Sequence, residues 1–244
     1  MALLALAFAA VPPVAQNPAY HAFADRRTLF GVPNFWNVAT NAAFLLVALY
    51  GLKALGSRTA FTLPWERVAY GVLLAATAAV SIGSSYYHLH PDNATLFWDR
   101  LPMAVTFMAL LAALTGERAS MDAGRRLLPP LLLLGVASML YWRASGDLRL
   151  YGLVQFGTVL AFPLLLLLRP PRYTAAEGAW WMVGLYGAAK IFELLDRPMG
   201  AWIATGGHPW KHLFAAAALF AWMHAVARRR PLPSSGARAV TIGA

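Results

Sequence analysis

The chain has 244 residues, of which 59% are hydrophobic and only 12% are charged. A soluble domain of this length carries about twice that charged fraction, and several apolar runs approach the ~20 residues that cross a bilayer. These numbers exclude a soluble globular domain and predict an all-α integral membrane protein with a single helical bundle. The chain has no cysteine, which excludes disulfides and thiolate ligands and leaves His, Asp and Glu as candidate metal ligands.

The net charge of +10 is typical either of nucleic-acid binding or of a membrane protein with basic cytoplasmic loops. The sequence contains no basic motif with interleaved aromatic residues, so we expect no nucleic-acid partner. The composition predicts the membrane as a partner, and no obligate protein partner is inferred.

Seven apolar runs follow one another along the chain. We predict membrane spans at 35–52, 68–88, 97–114, 127–142, 150–168, 179–195 and 209–227. Residues 1–11 are apolar but too short to span, so we interpret them as a clipped signal or an interfacial segment. The predicted regions are an N-terminal apolar and polar segment (1–33), a seven-helix transmembrane domain (34–228) and a basic, disordered cytoplasmic tail (229–244).

The distribution of Lys and Arg predicts the orientation of this bundle. Twelve of them fall in the first, third and fifth loops and the tail, against six on the other side. Because positive residues stay in the cytoplasm, we expect the C-terminus inside and the N-terminus outside. The end of span two and the start of span seven then lie together on the non-cytoplasmic side, in the cytoplasmic membrane if the host is a bacterium.

Several polar residues lie inside the predicted spans. Three asparagines at i, i+3 and i+7 predict an inward-facing stripe, because amides are costly in contact with lipid. They are Asn34, Asn37 and Asn41. Three ionisable residues of span six predict an internal ion pair or the wall of a polar cavity, namely Lys190, Glu193 and Asp196. Aromatic residues near the same rim predict an interfacial belt: Tyr86, Tyr87, Trp98, Trp202 and Trp210.

A polar cluster marks the boundary between spans two and three. Ser84 and His88 are four residues apart, so on a helix they share one face. Pro91 disfavours helix at the residue before it, and Asp92 begins a turn or an N-cap. Asp99 follows at the start of the next apolar run. A hydroxyl, an imidazole and a carboxylate are therefore expected at one rim of the bundle.

A second cluster opens the last span, where His208 and His212 stand at i, i+4 and can grip a metal together. With His88 they would form a three-histidine zinc site that keeps one position for water, whose pKa the ion lowers towards ~7. Asp99 could orient that water and accept its proton, or hold a histidine tautomer. Ser84 could donate to the oxyanion that forms when water attacks an amide.

Each of these residues also has an ordinary structural interpretation. A histidine at a helix end is often an interfacial side chain, and Asp99 could cap span three or pair with Arg100. Ser84 could bond back to its own helix, as serines in membranes often do. The combination favours function, because ionisable groups at membrane depth are costly.

The motifs taken in order resemble the alkaline ceramidase family, within a superfamily of seven-helix membrane hydrolases that includes the adiponectin-type receptors. They are G-S-x-x-x-H at 83–88, D-x-L-P-M at 99–103, H-x-x-x-H at 208–212 and N-F-W-N-V-A-T-N at 34–41. The resemblance extends over residues 25–227. It implies seven helices, zinc held by His88, His208 and His212, roles for Ser84 and Asp99 beside the metal-bound water, and hydrolysis of the ceramide amide.

The chain departs from animal members of that family near its N-terminus. Those proteins carry an acidic calcium-binding stretch, whereas here Asn34 replaces a glutamate and Asp25 is the acidic residue nearby. The sequence therefore argues against a calcium site and looks more like the bacterial branch. Related N-acyl lipids are alternative substrates to ceramide.

Two other functions remain open at this point. A receptor or sensor on the same fold would keep the three histidines around a structural metal with little or no turnover. A proton-coupled transporter would use Lys190, Glu193 and Asp196, although the sequence has no inverted repeat of the kind found in transporters.

Overall fold

The computed structural model describes residues 10–233, and every regular element within them is helical. A 3-10 turn at Pro18–His21 precedes nine α-helices. These are α1 (Phe35–Ala39), α2 (Ala42–Gly56), α3 (Pro64–Leu89), α4 (Asn93–Arg118), α5 (Met121–Ser145), α6 (Arg149–Leu168), α7 (Glu177–Leu194), α8 (Asp196–Met199) and α9 (His208–Arg228). The predicted all-α class is confirmed for this part of the chain.

The helix ends follow local sequence signals. Asp92 caps α4 by accepting a 2.7 Å hydrogen bond from the backbone N–H of Thr95, and the pKa of its carboxyl is lowered by the hydrogen bonds from Thr95. Pro64 stands in the first turn of α3, where no backbone donor is needed. Gly146 ends α5 with φ of +75°, a conformation that glycine adopts without strain.

Five helices are long and apolar enough to cross a membrane, counting α1 and α2 as one and adding α3 to α6. Large apolar side chains on their outer faces are exposed, including Leu46, Ile82, Leu133 and Leu160. Such surfaces are expected to face lipid. These helices coincide with the first five predicted spans. Helices α7 and α9 lie at the positions of the sixth and seventh predicted spans, but they are not among the five helices that are long and apolar enough to cross a membrane.

The first predicted span is interrupted by a turn between α1 and α2. Asn37 and Asn41 are fully buried at this break, and the Asn41 amide donates to the carbonyl of Asn37 at 2.8 Å. The inward orientation predicted for these two residues is confirmed. Asn34 instead precedes α1 with φ of +47°, and its amide donates to the carbonyl oxygen of His88 at 2.8 Å.

The long helices form a ring in which α2 and α9 are neighbours. Helix α2 packs against α3 and α9, α3 against α4, α4 against α5 and α6, and α7 against α6 and α9. Apolar side chains fill the interior, among them Tyr70, Leu73, Leu114 and Met223. This arrangement brings the end of α3 close to the start of α9.

Helices α3 and α4 make an unusually close approach at Gly83. A Cβ atom added there would collide with the carbonyl oxygen of Trp98, so only glycine fits. The contact joins the last turns of α3 to the first turns of α4. Those turns carry Ser84, His88 and Asp99.

The polar N-terminal stretch covers this end of the bundle. Phe23 is buried, and Val14 donates its backbone N–H to Asp147 at 3.2 Å. Both oxygens of the buried Asp25 carboxylate accept protein donors, from Arg27 Nε at 2.8 Å and from the backbone of Trp36 at 3.0 Å. Asp25 therefore stabilises the fold of the N-terminal stretch through these two hydrogen bonds. Residues 1–9 of the predicted apolar segment lie outside the described residues.

The predicted disordered tail begins differently from expectation. Arg229 is buried and ion-paired with Glu66 and Glu117, its Nε donates to the carbonyl of Ala60 at 2.7 Å, and its guanidinium lies 4.0 Å from the ring centroid of Tyr173. Burial, and to a smaller extent the hydrogen bond with Glu66, raises the pKa of Tyr173 to about 12. The folded domain thus extends beyond residue 228. Residues 234–244 lie outside the described part.

Candidate metal centre and adjoining cavity

Three histidines from two helices converge at the covered end of the bundle. The ring centroids of His88, His208 and His212 are each 4.9 Å from the other two. One ring nitrogen from each lies within 4.8 Å of those of the others, and all three residues are buried. The structure therefore brings the predicted ligand residues together in a group that could hold one metal ion.

Asp196 fixes the start of the helix that carries two of these histidines. Its Oδ1 accepts a 2.8 Å hydrogen bond from the backbone N–H of His208, and its Oδ2 accepts one of 3.0 Å from Ala24. The residue was predicted to take part in an ion pair or a cavity wall. It lines a cavity together with Tyr20 and Glu193, and it also links the N-terminal segment to the first turn of α9.

The Thr40 hydroxyl lies beside one ring nitrogen of His212 and bears on its tautomer. The threonine hydroxyl donates its single proton to the carbonyl of Trp36 at 2.7 Å, and it lies 3.0 Å from His212 Nδ1. The hydroxyl oxygen must then accept, so Nδ1 carries the proton. The lone pair of His212 is left on Nε2, the atom available to a metal.

Several ring nitrogens of the cluster have no hydrogen-bond partner among residues 10–233. They are both nitrogens of His88 and Nε2 of His208, all of them buried. Buried polar atoms are almost always hydrogen-bonded, because leaving one unpaired costs about 1–3 kcal/mol. A metal ion bound by these nitrogens would remove that cost. The residues therefore fit a metal site by the chemistry of their donors.

Aromatic rings seal the cluster from the N-terminal side. The ring of Phe23 lies 4.6 Å from that of His88 and 4.5 Å from that of His208, measured between centroids. Tyr87 is buried beside them and its hydroxyl lies 2.9 Å from His21 Nδ1. Tyr87 thus belongs to the core and not to the predicted aromatic belt. Trp98 and Trp202 are exposed, as a belt requires.

Asp99 and Ser84 lie next to the histidines, on the wall of the same cavity as His212. The Ser84 side chain interacts with the Asp99 carboxyl, and Oδ1 of Asp99 is buried with no hydrogen-bond partner in the described residues. Asp92, and not Asp99, caps α4. An unsatisfied carboxylate oxygen beside a potential metal site is suited to accept a proton.

The cavity leading away from the histidines has a volume of about 80 Å³. Apolar side chains from α2, α3, α4, α7 and α9 form most of its wall, including Phe44, Val80, Phe107, Met182 and Leu219. Binding sites for small molecules typically have mainly apolar walls with a few polar groups. The chemistry of this wall therefore suits a hydrocarbon group.

Ionisable residues of α7 and α9 form the polar end of that cavity. Lys190 and Lys211 both pair with Glu193, and the Lys211 contact measures 2.7 Å. Tyr20 donates its hydroxyl to Glu193 at 3.1 Å, and burial raises the pKa of this tyrosine, which keeps it a neutral donor. The pair and cavity wall expected for Lys190 and Glu193 are present, although Lys211 was not anticipated.

No family model matches the chain, and no curated protein matches it. The functional interpretation therefore depends on the side chains. Thr40, Phe23 and Lys211 lie at the site without having been predicted, and so does the bond of Asp196 to the backbone of His208. The position of Lys211 at the site could have been predicted from the sequence, because it directly precedes His212. The partners of Thr40 and Asp196 are distant in sequence and could be identified only from the structure.

Proposed function

We propose that this protein is a zinc-dependent membrane hydrolase that cleaves the amide bond of ceramide or a related N-acyl lipid. One observation carries the proposal: three buried histidines, of which His88 and His208 have unpartnered nitrogens in the described part of the chain, stand beside an unpartnered Asp99 oxygen at the end of an apolar cavity. Metal ligands, a proton acceptor and an apolar cavity are the parts that such a reaction needs.

The metal proposed is zinc, held by His88, His208 and His212. Neutral imidazoles suit Zn²⁺, and three of them leave a fourth coordination position open. When bound, the ion supplies Lewis-acid chemistry, polarising a carbonyl and acidifying a water molecule. Thr40 holds His212 in the required tautomer, and Asp196 holds the backbone that presents His208.

Asp99 acts as general base and then as general acid. It takes a proton from the attacking water while the water oxygen forms a bond to the amide carbon, and it returns that proton to the nitrogen as the C–N bond breaks. The Ser84 hydroxyl donates to the carbonyl oxygen as negative charge develops on it. The products are a carboxylic acid and an amine.

The membrane arrangement we propose has seven spans, with α7 and α9 as the sixth and seventh. Their polar faces line the cavity, and such residues are tolerated in a span when they face the interior. The excess of Lys and Arg in one set of loops supports a cytoplasmic C-terminus and places the histidines towards the non-cytoplasmic side of the membrane.

The test combines metal analysis with turnover. We expect about one zinc per chain in the purified protein, and hydrolysis of labelled ceramides or other N-acyl lipids that is lost in Asp99→Asn. Asp122→Asn, at an exposed position on α5, is the matched control. Absence of stoichiometric zinc would refute the proposal. Bound zinc without turnover of any N-acyl lipid would favour the receptor, and metal-independent uptake into proteoliposomes would favour the transporter.

A further inference from the structure

A second cavity adjoins the polar end of the first. The two share part of their wall, formed by Asp99, Met103, Gln155, Lys190, Glu193 and Lys211. The second cavity continues past Arg100 and Tyr151 to Leu148 and Val14 at the N-terminal cover. A molecule with its reacting bond beside Asp99 can therefore place one part in each cavity.

The two cavities differ in chemistry. The first is apolar and suits a hydrocarbon chain, whereas the second is lined by ionisable side chains of both helices α4 and α7. If the acyl chain occupies the first cavity, the group on the amide nitrogen lies in the second. Its charged wall then selects that group.

Positive charge exceeds negative charge on this wall. Lys190 and Lys211 share the single carboxylate of Glu193, and all three side chains are mostly buried. Arg149, also on the wall, is paired with Asp147 at 2.7 Å. Because Glu193 can neutralise one of its two partners, one ammonium charge stays uncompensated within the group.

Arg100 adds a second cation held mainly by neutral groups. Its Nη1 donates to Gln16 Oε1 at 2.7 Å, and the rings of Tyr20, Trp142 and Tyr151 surround the guanidinium at 5.0–5.3 Å. The neighbouring Asp99 carboxylate is the group to which the proposed function assigns proton transfer. A buried cation with aromatic and amide partners can still bind an anion strongly.

We infer that the substrate head group carries an anion, a carboxylate or a phosphate, which lies among Arg100, Lys190 and Lys211 while the acyl chain occupies the apolar cavity. This inference rests on the proposed amide hydrolysis. It narrows the substrate class from N-acyl lipids in general to acidic ones. An anion at this place compensates the surplus charge in surroundings where little water is present to do so.

The test uses three amides of one fatty acid in neutral phosphatidylcholine vesicles. N-palmitoylethanolamine is neutral, N-palmitoylglycine carries a carboxylate, and N-palmitoyl-O-phosphoethanolamine carries a phosphate. We expect kcat/KM to be about tenfold or more higher for one of the acidic amides, as a charge-assisted contact predicts. The better acidic amide identifies which anion is recognised. Equal kcat/KM for all three would overturn the inference while leaving the hydrolase intact.

Variants at Lys190 test the site itself. Lys190→Gln should lower the ratio of acidic to neutral kcat/KM about tenfold, and Lys190→Arg, which keeps the charge, should preserve it. Lys53→Gln is the control, since this lysine is exposed on α2. An unchanged ratio in a folded Lys190→Gln protein would refute the inference.

A binding measurement separates this inference from the proposed function. If none of the three amides is cleaved, their dissociation constants can still be measured by competition. Tighter binding of an acidic amide that Lys190→Gln abolishes would support the anion site although the hydrolase proposal fails. Equal affinities for the acidic and neutral amides would overturn the inference.

Discussion

Oδ1 of Asp196 accepts a 2.8 Å hydrogen bond from the backbone N–H of His208, across twelve positions of sequence. Both residues are buried, so water does not compete for this bond. The same carboxylate also binds the backbone of Ala24. One side chain therefore fixes the N-terminal cover and the first metal-ligand residue of α9 relative to each other.

Replacing Asp196 by Ala is expected to destabilise the fold and loosen the metal. Two backbone donors lose their acceptor, that of the buried His208 at about 1–3 kcal/mol and that of the half-buried Ala24 at less. Thermal unfolding in detergent and the zinc content after dialysis measure the two effects. Asp122→Ala is the control, because the pairs of Asp122 with Arg125 and Arg126 are exposed, so this change should leave the melting temperature nearly unchanged. Equal melting temperatures for both variants would contradict the role given to Asp196.

Replacing Thr40 by Val is expected to weaken zinc binding about tenfold, the lower end of the range for groups that orient metal ligands. The variant removes the oxygen that holds the Nδ1 proton of His212. A chelator competition assay gives the affinity directly. Thr115→Val is matched to it, because Thr115 bonds only to the carbonyl of Leu111 in its own helix. A zinc affinity in Thr40→Val equal to that of the control would show that another group sets the tautomer.

Gly83→Ala is expected to push α3 and α4 apart, since the new methyl group meets the carbonyl oxygen of Trp98. Overpacking of this kind costs about 1–3 kcal/mol. Turnover should fall as well, because the same contact aligns Ser84 and His88 with Asp99. Gly71→Ala in the same helix meets no atom within 4 Å and should be neutral or stabilising by up to ~1 kcal/mol. If the two variants unfold at the same temperature, the close approach does not matter.

Arg229→Met is expected to destabilise the opposite region of the bundle by about 3–5 kcal/mol, because it strands the buried carboxylates of Glu66 and Glu117. Tyr70 and Tyr173 still donate to those carboxylates, at 2.5 Å and 2.6 Å. Denaturation in mixed detergent measures the loss. Arg228→Met changes the exposed neighbour and should cost little. A small loss of stability in Arg229→Met would contradict this prediction and would mean that Glu66 and Glu117 become protonated and neutral in the variant.

Helical periodicity and the number of spans explain why the histidine cluster was predictable. Four predicted spans lie between the end of span two and the start of span seven. Because this number is even, the sequence alone predicts that His88 and His208 lie on the same side of the membrane. The i, i+4 spacing then brought His212 into the same group. The structure confirms that the three histidines lie together, and their side of the membrane stays a prediction.

Contacts that depend on packing could not be predicted in this way. Tyrosine is a residue type typical of membrane interfaces, yet Tyr87 is covered by the N-terminal segment. Arg229 lies in a run of three arginines at the end of α9 and looks like the start of a basic tail, yet it is buried and ion-paired with Glu66 and Glu117. In both cases the partner lies more than 60 residues away, and local patterns carry no information about it.

The division of the histidines between α3 and α9 has a consequence for biosynthesis. His88 emerges from the ribosome long before His208 and His212, and a chain that stops short of residue 208 presents a single imidazole. Under the proposed function, the metal ion can therefore be bound by all three histidines only after α9 has joined the bundle. Uptake of the ion would then report that synthesis has passed α9 and that α3 and α9 have come together.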